Sequence, residues 1–541
     1  MTFSEYFRMG ERIVLRHYSL ILFGVLAILP VMVCGAAPGD ILKNQVFGLP
    51  EGAEWGYGLD TSPDGNTTVC GVAYPDQSIN LEHLGNGDAW VLRFDTNGSI
   101  IWEKLFGGNE TDYALSVRNL PDGGAAVIGT TGSYNGDVTG YHGNGDLWFI
   151  NLGPDGNIRW DRALGGSLTD EGSDVVLLPD RGYVLCGYTM SSDGYTRRQL
   201  GGGDLWLIRL DRNGTVLWEQ TYGGSRRDSG ASITLTGDNS LVACGNTNST
   251  DGMVSGNRTS SDVWVIKTDL NGTVIWERSF GGSGLEWGHS VIELTSGDLM
   301  VAAVTASGDG DVGKNHGAGD VWLMRITPDG TLVWKQTYGG SFSDNVWKLE
   351  PSPGGGAYLV GDSYSVDGHF TGNHGESDLL IAEVDGDGNL LWYRQIGGSS
   401  VDRGSWVKHT NADTLMITGM TASSDGDISG DHSSGDLWIL EVEGSTAQPV
   451  SESEPLPAMT IPAEPAIGPL GGDGPVPTDP DGDGRYEDMN GNGKTDLQDP
   501  TVFFKYFSWL QSQGYVSAFD FNENGALDLS DVQALFTEIQ S

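Results

Sequence analysis

Short runs of alternating apolar and polar residues recur along this chain, and they recur at a fixed distance. Asp204-Leu-Trp-Leu-Ile-Arg-Leu, then Asp211-Arg-Asn-Gly, then Thr215-Val-Leu-Trp218 reads as strand, tight turn and strand, because Asn and Gly tolerate the positive φ that such turns need. Ser116-Val-Arg-Asn-Leu, Pro121-Asp-Gly-Gly and Ala125-Ala-Val-Ile-Gly form a second hairpin earlier in the unit. The unit spans 58 residues without insertion or deletion, as Gly107, Gly165, Gly223, Gly281, Gly339 and Gly397 show. A less regular copy begins near Val46 with one extra residue, which makes seven. No stretch inside the repeats carries the i, i+3, i+4 spacing of a helix. Seven units of four strands predict an all-β, seven-bladed β-propeller.

The ends of the array predict closure. The seventh copy stops at Asp436-Leu-Trp-Ile-Leu-Glu-Val-Glu443, one strand short, and Ile41-Leu-Lys-Asn-Gln-Val-Phe-Gly48 matches the fourth-strand sequence Val333-Trp-Lys-Gln-Thr-Tyr-Gly339. The N-terminal strand is therefore expected to complete the last blade, giving one ring over residues 40–443. A linear β-solenoid is the alternative, and the missing strand argues against it.

Outside the repeats the patterning changes. In residues 1–36, Arg8, Arg12 and Arg16 precede an apolar run from Ser19 to Val33, followed by small residues at Gly35-Ala-Ala37. This is the layout of an export signal peptide, with a retained membrane anchor as the alternative. Residues 444–478, rich in Pro, Glu, Ser, Ala and Gly, read as a flexible spacer with too little apolar surface to offset the entropy of ordering. These segments place the protein outside the cell or on its surface.

Charge narrows the partners. With 73 acidic against 29 basic residues, the net charge of −44 disfavours nucleic acid and anionic membrane surfaces, which need Lys/Arg patches. Contact with a membrane is left to an uncleaved N-terminal segment. Cys70, Cys186 and Cys244 occupy one equivalent repeat position in three different copies, so they read as small core residues rather than a disulfide framework.

The strongest chemical pattern lies at residues 479–541. Asp488, Asn490, Asn492, Lys494, Asp496 and Asp499 stand at positions 1, 3, 5, 7, 9 and 12 of a loop, with Gly493 at position 6. Asp520, Asn522, Asn524, Ala526, Asp528 and Asp531 repeat that spacing around Gly525. Calcium takes six to eight oxygens, and this arrangement supplies them from side chains at 1, 3, 5 and 12 and a backbone carbonyl at 7. Amphipathic segments at Thr501–Leu510 and Val532–Ile539 follow the loops. The duplicated loop and helix, with Asp rather than Glu at position 12, resembles a type I dockerin module. That resemblance implies a small α-helical EF-hand-like domain, bound Ca2+ and calcium-dependent docking to a cohesin-like partner. The family's recognition positions hold Leu497-Gln498 and Leu529-Ser530 here, not the usual Ser-Thr type of pair. Asp479, Asp481 and Asp483 resemble the acidic lead-in of secreted archaeal proteins and offer a third loop.

The repeats, through Gly-Asp-x-Trp, Asx-Gly-x-x-x-Trp and Gly-Gly-Ser-x-x-Asp, resemble SBBP-type β-propeller repeats of secreted microbial proteins. One acidic residue per copy, Glu54, Asp112, Asp170, Asp228, Glu286, Asp344 and Asp402, is expected where the blades join. Asp309-Gly-Asp311, Asp425-Gly-Asp427, His142, His316, His374 and His432 belong to a second loop on the same face. Such a ring offers a face for cations or a polysaccharide; a residue repeated in every copy equally serves to tie loops and blades together. The series from Asp88 to Asp436 and from Trp102 to Trp392 reads as blade architecture. No nucleophile elbow, zinc-ligand motif or phosphate loop is present in the sequence, and no catalytic residue is assigned. Trp287, Trp347, Trp406 and Arg197-Arg198 break the repeat. The expected function is a non-catalytic binding or scaffold protein, with a polysaccharide hydrolase or lyase component as the alternative.

Overall fold

The computed structural model describes residues 37–48, 52–74, 85–196, 199–256, 261–410, 413–428 and 435–445, with Val502, Phe503, Lys505 and Leu535 beyond them. The chain divides into two units, Met1–Gln448 and Pro449–Ser541. In the second, the described positions are helical, and Phe503 and Leu535 are buried. The expected export signal, the expected spacer beyond Ser445, the expected calcium loops, His432 and Arg197-Arg198 lie outside the described residues.

The first unit is a seven-bladed β-propeller. Its strands form seven four-stranded antiparallel sheets, each taking four consecutive strands except the last. There Ile41–Phe47 pairs antiparallel with Asp436–Glu443, so the N-terminal strand completes blade seven as its outermost member. Lys43 Nζ meets Glu441 Oε2 at 2.7 Å, and the Trp438 indole donates to Asn44 Oδ1 at 2.7 Å across this join. The linear solenoid is thereby excluded.

Burial explains the strand sequences. The second and third strands of a blade lie between neighbouring blades and are covered on both faces, as Tyr183–Thr189 and Asp146–Leu152 are along their whole length. Continuous apolar runs such as Leu147-Trp-Phe-Ile suit that position. Each outermost strand, such as Val216–Tyr222, buries only part of its surface. Its tryptophan joins neighbours: the Trp102, Trp218, Trp276 and Trp334 indoles donate to Pro154, Leu270, Pro328 and Gly386 carbonyls at 2.9–3.1 Å, each in the next blade's last turn. The turn itself is closed locally, with Asp211 Oδ1 accepting from Asn213 N and Thr215 N at 2.8 Å. Gly214, at φ 80°, takes the left-handed conformation that its turn requires.

The innermost strands carry the feature that positions the site. Every one of the seven has a register shift near its third residue, as between Gly172 and Asp174 or Val346 and Lys348. A β-bulge places two successive residues opposite one and re-aims a side chain. The unpaired bulge residues are Tyr57, Leu115, Ser173, Ala231, His289, Trp347 and Ser405. The next residue along each strand lies at the waist of the central channel.

Candidate functional site

The repeated carboxylates sit at the start of the innermost strands, at the first position in six and the second in one, and all are fully buried: Glu54, Asp112, Asp170, Asp228, Glu286, Asp344 and Asp402. Asp112 Oδ2 accepts from Gly108 N at 2.8 Å and Ser133 Oγ at 2.7 Å, while Thr131 donates to Oδ1. Asp170, Asp228, Asp344 and Asp402 repeat this pattern with Gly, Ser and Thr or Ser partners. These acids hold the turn between blades against the second strand, which is the tying role open to a residue present in every copy. Asp309 and Asp311 likewise accept backbone N–H groups, from Ser283 and Gly281. His142, His316 and His374 each share Nδ1 with the buried aspartate four residues on, Asp146, Asp320 or Asp378. Among the described residues no group of three or more His, Cys, Asp or Glu side chains is placed to hold a metal. Cys70, Cys186 and Cys244 are free and buried.

At the channel the seven-fold pattern ends. The waist positions hold Gly58, Ser116, Asp174, Ser232, Ser290, Lys348 and Trp406, one per blade, with serine in three blades and a different residue in each of the other four. Asp174 of blade three is 1 % exposed. It accepts from Arg118 Nη2 and Ser116 Oγ of blade two at 2.8 Å, from Lys348 Nζ of blade six at 3.1 Å and from Ser232 Oγ of blade four at 3.2 Å. Lys348 Nζ also lies 3.8 Å from the ring centroid of Trp406 in blade seven, and the Arg118 guanidinium 5.2 Å from it. Both are within reach of the ring quadrupole. Despite burial, the two cations hold the Asp174 carboxyl down at about 2, whereas burial also pulls Lys348 below its ordinary value.

This cluster separates two openings. On the side away from the repeated carboxylates, a cavity of about 300 Å³ reaches Asp60, Glu350 and Lys408. On the carboxylate side, a funnel of about 480 Å³ is lined by Trp55, Tyr57, Tyr188, His289, Trp347 and Trp406, with Glu171, Arg227 and Arg403. Trp347 is 38 % exposed. Its indole donates to Asp362 Oδ1 at 2.7 Å, and its ring meets His289 edge-on with centroids 4.7 Å apart. Burial pushes His289 down to about 4, so it is neutral at physiological pH. Arg227 stacks over the Tyr188 ring at 4.6 Å, and Arg403 donates to Tyr364 Oη at 2.9 Å. Trp55 packs edge-on against Tyr57 and Tyr74.

Of the residues that break the repeat, Trp347 and Trp406 therefore belong to one site, and Trp287 is an exposed residue at the register of Trp55. Sequence comparison of the copies for what they share missed Asp174, Lys348, Arg118 and Glu171. The usable signal is the opposite one: two adjacent positions that change chemical type among copies, between a small or β-branched residue before them and an aliphatic one after.

No family model matches the chain. The regulatory protein FlaEY of Caulobacter vibrioides is 26% identical over 280 residues, which is 48% of this chain and 29% of that protein, so the chain spans under a third of its length. Among solved structures, a catalytically inactive virginiamycin B lyase from Staphylococcus aureus crystallised with quinupristin superposes with a TM-score of 0.43 at 11% identity, over 74% of this chain and 99% of that one. A gluconolactonase from Xanthomonas campestris gives a TM-score of 0.33 at 12% identity, over 76% of this chain and 99% of that one. Both are likenesses to other proteins at low identity.

Proposed function

We propose that this chain is an exported binding protein whose propeller takes its ligand in the funnel, and whose C-terminal module docks, loaded with calcium, to a cohesin-like partner. The observation that carries the propeller half is the contrast between the two sets of polar groups. The repeated carboxylates are consumed by backbone and hydroxyl donors, while side chains that the copies do not share gather around one opening. A concave, aromatic-lined cavity with a few convergent polar groups is the usual form of a ligand site. The docking half rests on the twin loops at Asp488–Asp499 and Asp520–Asp531, whose oxygen spacing suits calcium.

Calorimetric titration of the full chain with calcium, beside an Asp488→Ala/Asp520→Ala chain, tests the docking half. Two equivalents bound by the parent and lost in the variant are expected; no binding at millimolar calcium removes it. Retention of the parent and of Trp347→Ala on an extracellular matrix fraction tests the funnel. Equal retention of the two removes the funnel as ligand face.

A carbohydrate-active role is the second reading, favoured by Glu171, the carboxylate that lines the funnel without an ion-pair partner among the described residues. Glu171→Gln would then keep binding and lose turnover.

A further inference from the structure

The charge in the funnel runs against that of the chain. In a protein of net charge −44, two guanidiniums line one aromatic cavity. Arg227 has no ion-pair partner among the described residues and lies over Tyr188. Arg403 stands 4.0 Å from Asp362, a carboxylate already bound by the Trp347 indole and by Asn345 Nδ2 at 2.9 Å. No other copy of the repeat places a basic residue at either position. Blade architecture, which every copy shares, does not call for them.

The aromatic groups add a second requirement. Asp362 is 1 % exposed and fixes the Trp347 ring through its N–H, so a part-exposed indole face is held in place before any ligand arrives. Such preorganisation lowers the entropy lost on binding. A flat indole suits the C–H face of a pyranose ring. Glu171 accepts hydroxyl hydrogen bonds, and a guanidinium holds a carboxylate through two parallel N–H donors. Polymeric nucleic acid, with a phosphate at every residue, would need a longer basic track than two arginines.

We propose that the funnel binds an acidic saccharide, a glycan bearing uronic acid residues, with Trp347 as stacking platform and Arg227 and Arg403 as carboxylate clamps. This rests on the reading of the funnel as the ligand face. The test is calorimetric titration of the full chain, in calcium-containing buffer, with hexagalacturonate and with the neutral hexasaccharides of cellulose and amylose. The expected result is binding of the uronate at least about tenfold tighter than either neutral sugar. Arg227→Gln/Arg403→Gln should weaken uronate binding by about tenfold or more and leave the neutral sugars unchanged, since charge-assisted hydrogen bonds are the strong ones. Trp347→Ala should weaken every saccharide, with the melting temperature of each variant confirming its fold. Equal affinity for acidic and neutral sugars, or indifference to the arginine changes, overturns the acidic assignment while leaving the funnel as ligand face. Absence of binding to any of the three sugars overturns this proposal, and the matrix-retention comparison then decides separately whether the funnel takes a ligand of another class.

Discussion

Lys348 reaches across the central channel to Asp174, three blades away along the chain, with Nζ 3.1 Å from Oδ2. This contact and those of Arg118, Ser116, Ser232 and Trp406 join blades two, three, four, six and seven at the ring's centre. Asp174→Asn should cost about 3–5 kcal/mol of stability, because the buried Lys348 and the half-buried Arg118 are left without their counter-charge. Lys348→Met should cost less, since Arg118 still meets Asp174. The double variant should be more stable than the sum of the two predicts, and urea unfolding of all four proteins measures that coupling.

Acid should expose the same pair. Asp174 titrates at about 2 in the folded protein, below the ordinary 3.8. Its carboxylate therefore contributes stability that is fully present above pH 4 and is lost as pH falls through 2, worth about 2 kcal/mol. Unfolding followed from pH 5 to pH 2 should show the parent losing this increment and Asp174→Asn lacking it. Parallel curves would show that Asp174 carries no such shift.

Asp204 has the opposite sign. Burial and the facing Asp228 push its pKa up to about 6, and its Oδ1 has no hydrogen-bond partner among the described residues. The folded state holds this proton longer than the unfolded chain, so the contribution to stability is greatest below pH 4 and declines as pH rises to 6. Asp204→Asn removes the charge that burial penalises. Relative to the parent it should gain stability between pH 4 and pH 6, by up to about 3 kcal/mol, and hold that gain above pH 6. Melting temperatures of both proteins across pH 4–8 check this.

The ring and its blades were legible because their signals are local and repeated. Asp211-Arg-Asn-Gly marks its own turn, and the match of Ile41–Gly48 to Val333–Gly339 identifies the closing strand from sequence alone. The funnel was not legible, for a reason of register. In a regular strand Trp347 and Lys348 point to opposite faces; the bulge between Val346 and Lys348 breaks that alternation, and no residue type announces it. Asp174 and Lys348 are 174 residues apart, and only closure of the ring makes them neighbours. The carboxylate series was found as a pattern, but whether Asp112 faces solvent or Gly108, Thr131 and Ser133 depends on packing.

Closure itself should be cooperative. Without residues 37–47, Asp436–Glu443 becomes an open edge, and Trp438 and Glu441 lose Asn44 and Lys43. An exposed edge strand also invites pairing between chains. Deletion should lower the melting temperature, broaden the calorimetric transition and raise the aggregated fraction at equal concentration. An unchanged sharp transition would mean that the ring does not depend on this join.

Trp276 and Gly330 test how the blades are tied at the rim. The indole donates to Pro328 O at 2.9 Å, and a Cβ on Gly330 would lie 3.0 Å from the ring, at a φ of 87°. Trp276→Ala should cost about 3–5 kcal/mol, chiefly through the cavity it leaves, since Lys267 Nζ still donates to the Pro328 carbonyl at 3.3 Å. Gly330→Ala meets two penalties, the close approach to the ring and a left-handed backbone worth about 1–2 kcal/mol. Only the first depends on Trp276. In the double variant the approach disappears while the backbone cost stays, so the alanine at 330 should cost about 1–2 kcal/mol there and more in the presence of the tryptophan. An equal cost in both backgrounds would locate the glycine requirement in the turn alone, and the rim contact would then be a consequence of the turn rather than a reason for it.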